Sequence, residues 1–252
     1  MMKIALLLLA GSTVVFGQTA APRTFELHSP DSSFSLTLSG RFYEGFSGIQ
    51  SFTFRNAAQR TLWQKAFAGD GLAFPAVSNR GQVAITHGHE VQLFDSSGTL
   101  AGALQLAPGR EIPFDRSDEG THLVQGFSPG GHRYFLVTQP VNRRTRFLLC
   151  VDDSARTMWK KALENLRPAE LLCYKDLIIM HDFFEVRAGH TNSCTVLDRE
   201  GNVLWRTDIR LRRPLEANRV RIHASTGRLE IIGPASSETV DLNKLAPAEA
   251  QQ

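Results

Sequence analysis

Long apolar runs are scarce in this chain. Apart from Ile4 to Ala10, close to the amino end, no stretch approaches it. Ile4 to Ala10 itself falls short of the roughly 18–20 residues that cross a bilayer as a helix. The sequence therefore predicts no transmembrane segment in the mature chain. Cysteine is scarce too. Cys150, Cys173 and Cys194 are the only three, and no pair has the Cys-x-x-Cys spacing of a redox or zinc motif. An excess of one charge sign is missing, with 28 Lys and Arg against 25 Asp and Glu. That balance argues against a nucleic-acid binder and against a strongly charged membrane-surface protein. No glycine-rich phosphate loop opens a helix, and there is no Gly-x-Ser-x-Gly elbow and no His-Glu-x-x-His. No cofactor and no metal are expected. Amphipathic helices are hard to find; "ARTMWKKALENL" has a helical look, but a repeat described below explains it better.

The first residues, "MMKIALLLLAGSTVVFGQ", place one positive charge at Lys3 before the apolar run and small residues after it. That is the layout of a secretory signal peptide, with cleavage expected after Gly17. A membrane anchor is the competing reading, and the run is short for it. The expected organisation is a signal peptide over 1–17, one domain over 18–243 and a disordered tail over 244–252, where "APAEAQQ" lacks large apolar residues. The expected location is periplasmic or extracellular. In an exported chain an odd number of cysteines means a free thiol or an intermolecular bond. The three cysteines read as small buried strand residues, or as one disulfide between Cys173 and Cys194 plus one free thiol.

Strand signals dominate the rest. "FSLTL" (34–38), "SFTF" (51–54), "QVAIT" (82–86), "VQLF" (91–94), "RYFLVT" (133–138), "RFLLCV" (146–151), "DLIIMH" (176–181), "CTVL" (194–197), "VRIHA" (220–224) and "RLEII" (228–232) are short and rich in β-branched or aromatic residues. Turn residues separate them: "SNRG", "SSG", "SPGG", "REG" and "STG".

Four segments align on an acidic or amide residue: "FRNAAQRTLWQKA", "LFDSSGTLAGALQ", "CVDDSARTMWKKA" and "VLDREGNVLWRTD". Each is an apolar strand end, then Asn56, Asp95, Asp152 or Asp198, a polar turn, and an apolar residue. Three reach a tryptophan, and Trp63, Trp159 and Trp205 are the only tryptophans in the chain. The second unit lacks it, with Leu104 in that region, and the first and third turns lack glycine. A second marker, a polar turn feeding an apolar strand, recurs in "PDSSFSLTL", "SNRGQVAIT", "SPGGHRYFLVT" and "STGRLEII". A period of about 40–45 residues holding four strands is what a propeller blade requires.

"FSPGGHRYFLVT" resembles the strand opening of exported propeller repeats, and the turn-plus-tryptophan half resembles pyrroloquinoline-quinone-type and WD-like propeller repeats. The resemblance covers most of residues 24–243. It implies an all-β, β-propeller-like fold of roughly five blades, irregular or incompletely closed, in which the tryptophan docks between neighbouring blades. A docked indole buries roughly 200 Å², an upper estimate of several kcal/mol at about 25 cal/mol/Å². The segment 107–120, "APGREIPFDRSDEG", reads as an insertion that stretches the third blade.

Few residues point to chemistry. "THGHE" puts His87 and His89 on one face if it is strand, where a third ligand from His181, His190 or His223 would make a metal site. It reads more simply as the polar loop between two strands. Arg210, Arg212, Arg219 and Arg221 in "IRLRRPLEANRVRIH" form the best partner-binding candidate, for a protein or an acidic cell-envelope component. The plainer reading is a charged edge strand guarded against aggregation, and "VNRRTR" (141–146) is a similar basic hairpin tip. No catalytic residue stands out. The expected function is an exported, non-enzymatic propeller scaffold; the alternative is a propeller hydrolase or lyase acting on a sugar polymer.

Overall fold

The computed structural model describes residues 23–40, 47–70, 73–107, 109–113, 124–141, 145–163, 170–181, 191–210, 219–232 and 237–245. The expected signal peptide, Arg212, the acidic residues Asp115, Asp118 and Glu119, and residues 246–252 lie outside them.

Twenty strands and one 3₁₀ turn make up the described chain. The strands form five antiparallel sheets in chain order. Blade one is β1 (Arg23–His28), β2 (Phe34–Gly40), β3 (Ser47–Asn56) and β4 (Thr61–Asp70). Blade two is β5 (Ala73–Val77), β6 (Val83–His87), β7 (Glu90–Phe94) and β8 (Leu100–Gln105). Blade three is β10 (Gln125–Phe127), β11 (Arg133–Pro140), β12 (Arg146–Asp152) and β13 (Thr157–Leu163), with the short β9 (Glu111–Pro113) also paired to β11. Blade four is β14 (Glu170–Tyr174), β15 (Leu177–His181), β16 (Thr191–Leu197) and β17 (Val203–Arg210). Blade five has three strands, β18 (Arg219–His223), β19 (Arg228–Ile232) and β20 (Ser237–Asp241), followed by the 3₁₀ turn Leu242–Lys244. The helical-looking "ARTMWKKALENL" supplies β13. Its alternating exposure, not a helical stripe, marks it as an outer strand.

The aligned segments are the hairpins between the third and fourth strands of blades one to four. All four turns are built alike. Asn56, Asp95, Asp152 and Asp198 each take the backbone carbonyl bond from the residue three later, and each donates to the carbonyl four later. The side chain accepts again from the backbone: Thr99 N–H to Asp95 at 2.9 Å, Arg156 N–H to Asp152 at 2.9 Å, Asn202 N–H to Asp198 at 2.7 Å. The residue three after the acid has positive φ in every case: Gln59 at 59°, Gly98 at 82°, Ala155 at 63° and Gly201 at 79°. The two turns without glycine thus keep the geometry at a left-handed cost of about 1–2 kcal/mol each. A bulge follows in each strand pair.

The register settles what replaces the missing tryptophan. Trp63 faces Phe54, Trp159 faces Cys150 and Trp205 faces Val196. The matching residue of blade two, opposite Leu93, is Gly102 and not Leu104. In blades one to three this position meets the turn of the next blade, whereas Trp205 packs against the core between blades four and five. A Cβ on Gly98 would lie 2.7 Å from Trp63 Cγ, and one on Gly201 would lie 2.9 Å from Trp159 Cη2. The Trp159 indole N–H also donates to the Arg199 carbonyl at 3.1 Å. At the second joint the sizes are exchanged. A Cβ on Gly102 would lie 2.3 Å from the Ser154 carbonyl oxygen and 2.9 Å from the Ala155 methyl. A tryptophan seats on a turn glycine; a glycine admits a turn alanine.

The second marker is also a turn, between the first and second strands. Ser29, Ser78 and Ser128 close it, each hydroxyl accepting from the strand that follows, as in Gln82 N–H to Ser78 Oγ at 3.0 Å. In an antiparallel sheet these turns and the acidic turns emerge at one end of the blades. The remaining hairpins and the blade-to-blade connections emerge at the other.

The core is divided among four buried clusters, one per joint. Phe52, Phe54, Trp63, Ile85 and Phe94 fill the first; Tyr134, Leu136, Leu93 and Val151 the second. Phe135, Leu148, Cys150, Ile178 and Met180 fill the third; Leu177, Ile179, Cys194, Val196, Leu229 and Ile231 the fourth. Among the described residues no such cluster joins blade five to blade one. The two outer faces explain why. Blade one turns Ser35, Thr37, Ser51, Thr53 and Arg55 away from blade two, on the sides of β2 and β3 opposite Leu36, Leu38, Phe52 and Phe54. Blade five turns Arg221, His223, Arg228 and Glu230 away from blade four, opposite Val220, Ile222, Leu229 and Ile231. Both faces are polar, as the end units of a stacked array must be to stay in water.

The cysteines are free, with Cys150 and Cys194 buried. The disulfide alternative fails on strand alternation. Cys173 packs into the core between blades three and four, whereas Cys194 packs into the core between four and five. They stand on opposite faces of one sheet, where no disulfide reaches.

Candidate functional site

The arginines are spread along two strands. Arg210 ends β17, opposite Thr191, on the outermost strand of blade four. Arg219 and Arg221 lie on β18, the innermost strand of blade five, opposite Ile232 and Glu230. Outermost and innermost strands of a four-stranded blade are about 14 Å apart at about 4.8 Å per strand. Arg221 is exposed on the outer face of blade five, with Arg228 also exposed and Glu230 accepting from His223 Nε2 at 3.1 Å.

"THGHE" is a two-residue hairpin turn. His87 pairs with Glu90, and Gly88 takes φ 58°, which the first central position of such a turn requires. His89 Nδ1–H donates to the Glu111 carbonyl at 2.8 Å. Among the described residues no group of three His, Cys, Asp or Glu side chains is placed to hold a metal. The Glu111 side chain, only 12% exposed, accepts from the Thr138 hydroxyl and forms an ion pair with Lys160 Nζ at 2.7 Å. Lys160 lies over the Phe147 ring. This cluster anchors the start of the insertion 107–120 through β9. Nothing in sequence spacing links Glu111 to Lys160, because β9 and β13 meet only through β11 and β12.

A titratable row crosses blade four at the same end. Glu170, His181, Cys194 and Thr207 are successive cross-strand partners. Thr207 donates to Glu238 of blade five at 3.1 Å. A Cys beside a His invites a nucleophilic reading, and the electrostatics oppose it. Burial pushes the Cys194 thiol up to about 12 and the His181 imidazole down to about 4. Near pH 7 both are neutral, and both are fully buried. A thiol activated by an imidazolium needs the reverse shifts. At the inner edge, Tyr134 O–H donates to Gln125 Oε1 at 2.5 Å and Gln125 Nε2 donates to the Pro75 carbonyl at 3.0 Å, tying blade three to blade two.

The His181 shift fixes a sign. Its folded value, about 4, lies below the ordinary 6.5. The unfolded chain therefore takes up the proton first. The contribution is full above about pH 6.5 and falls as pH drops from there towards about 4, by at most about 1.4 kcal/mol per pH unit. Urea unfolding at pH 7.5 and pH 5 should show this loss, and His181→Gln should flatten it. An equal slope in the variant would assign the acid sensitivity elsewhere.

No family model matches the chain, and no curated protein matches it in sequence. Solved structures are similar to it. An oligogalacturonate lyase in complex with manganese is 11% identical, with 91% of this chain and 67% of that one covered at a TM-score of 0.54. Dipeptidyl peptidase 4 of Porphyromonas gingivalis is 9% identical over 85% of this chain and 37% of that one, at a TM-score of 0.55. The β-propeller domain of the trilobed protease from Pyrococcus furiosus is 8% identical over 86% and 71%, at a TM-score of 0.48. The chain is an all-β protein with an irregular propeller fold.

Proposed function

We propose that this chain is an exported, non-enzymatic binding scaffold whose partner is a protein or an acidic component of the cell envelope. The observation that carries the reading is the contrast between joints and outer faces. Every joint between blades is apolar and filled, so the frame stands without a partner's core. The outer face of blade five remains exposed and carries Arg221 and Arg228. A rigid frame with charged, solvated faces suits capture rather than turnover. The leader-like amino end supports export.

Reversing Arg221 and Arg228, both exposed, to glutamate tests it. Exposed charges contribute within about 0.5 kcal/mol, so the fold should persist. Capture of an acidic partner from envelope extract should weaken, more so at low salt, where screening is least. Undiminished capture would remove this face from the reading. Measurable turnover of a sugar polymer by the purified chain would overturn the scaffold itself in favour of a hydrolase or lyase.

A further inference from the structure

At the outer edge of the third joint, the outer two strands of blades three and four leave a cleft of about 250 Å³. Leu148 and Leu163 of blade three and Leu197 of blade four are its buried apolar floor. Lys161 and the exposed Val203 also line it. We propose that this cleft is a binding site for a small aromatic molecule that carries a hydroxyl group. It is separate from the face of blade five and does not depend on that reading.

The repeat shows what such a cleft accepts. Counted from the turn residues Asn56 and Asp152, blade one has Phe52, Lys65 and Phe67 where blade three has Leu148, Lys161 and Leu163. Counted from Asp95 and Asp198, blade two has Phe94 where blade four has Leu197. At the first joint the three rings interlock. Phe52 and Phe67 meet edge to face with centroids 5.1 Å apart, Phe67 and Phe94 meet likewise at 6.1 Å, and Lys65 Nζ lies 4.9 Å over the Phe94 ring. The third joint has leucine at all three positions. Trp159 still reaches the next turn there as Trp63 does at the first joint, so the smaller filling is not matched by a closer approach. The second joint lacks the rings as well, with Val91, Leu106 and Val151, but Gly102 lets its blades close in. Among these three joints a tryptophan spacer and a small filling coincide only at the third. A ring seated there meets the surroundings that Phe94 has at the first, with Lys161 in the place of Lys65. Lys161 Nζ donates to the Asn202 amide oxygen at 3.2 Å, and Arg206, also in the lining, is paired with Asp208 at 3.2 Å. The ligand therefore need carry no charge.

A buried hydroxyl gives a second, independent indication. Thr195 lines the cleft and is 1% exposed, and its Oγ1 has no hydrogen-bond partner among the described residues. The equivalent residue of blade two, Gln92, donates to Glu90 at 3.0 Å. A buried hydroxyl left unpaired is costly. A ligand hydroxyl seated beside it supplies the missing bond, since each group can donate or accept.

Calorimetric titration of the full chain with phenol, benzene and cyclohexanol tests the proposal. Saturable binding of phenol is expected. Benzene lacks the hydroxyl and cyclohexanol the flat ring, so each should bind at least about fivefold more weakly. Thr195→Val should bring phenol down to the affinity of benzene. Leu197→Phe puts the ring of the first joint into the cleft, and it should abolish phenol binding while keeping or raising the thermal midpoint. Should that variant lose its fold, Leu163→Phe makes the same test from blade three. Arg221→Glu, on the far face of blade five, should leave the affinity unchanged. The assignment is overturned by no saturable binding of phenol, by equal affinity for phenol and either of the other two probes, or by undiminished binding in a folded Phe variant.

Discussion

Replacing Trp63 by alanine is expected to destabilise the chain by about 3–5 kcal/mol, the range for a buried large aromatic. The indole is 8% exposed. It stacks on Phe54 with centroids 5.1 Å apart and lies 6.1 Å from Phe94 of the next blade. Its removal opens the first joint, and nothing nearby is free to fill it. Trp205 occupies the same repeat position but is only half-buried. The same change there should cost less, about 2–3 kcal/mol. Urea midpoints of the two variants measure the difference. Equal midpoints would show that burial at the joint does not govern the cost. The Trp63 indole nitrogen is buried with no hydrogen-bond partner. Trp63→Phe should accordingly retain most of the stability, since it removes that nitrogen and keeps much of the ring.

Gly102→Ala is expected to cost about 2–3 kcal/mol, towards the upper end for overpacking. One methyl group there meets the backbone oxygen of Ser154 at 2.3 Å, and backbone cannot rotate away as a side chain does. Gly88→Ala is the control. Its φ of 58° imposes a similar or larger local backbone penalty, but a Cβ there meets nothing within 4 Å. It should cost about 1 kcal/mol, the left-handed penalty alone. Should Gly102→Ala prove no worse than Gly88→Ala, the close approach of blade three to that glycine would be refuted.

The repeat was legible because its parts are local. An Asp or Asn that caps its own turn is readable in a single sequence, and Asp95, Asp152 and Asp198 all do so. Trp63, Trp159 and Trp205 were placed correctly as equivalents for the same reason. In blade two the sequence reading offered Leu104 in that region, because a glycine carries no hydrophobic signal. Counting seven residues from the turn, as in the other blades, gives Gly102, but that a glycine is needed there follows only from Ala155 on another blade. Three of the innermost strands were also silent. β10 is only 3 residues long, and β5 ("AFPAV") and β14 ("ELLCY") carry few β-branched residues and no clean alternation. The cysteines looked pairable in sequence, yet strand parity puts Cys173 and Cys194 on opposite faces. Parity across two hairpins depends on turn lengths that only the fold supplies.

Blades one to three are each shaped to the turn of the next, and a double-mutant cycle on Trp63 and Gly98 tests that most directly. Gly98→Ala introduces a methyl group 2.7 Å from Trp63 Cγ on a backbone with φ 82°. In the parent chain it should suffer both the clash and the left-handed penalty, about 2–4 kcal/mol together. In a Trp63→Ala background the clash is gone, and the same change should cost only about 1 kcal/mol. The predicted result is a coupling of at least about 1 kcal/mol between residues on different blades. Additive losses, with Gly98→Ala costing the same in both backgrounds, would contradict the docking of tryptophan on the neighbouring turn and with it the blade arrangement.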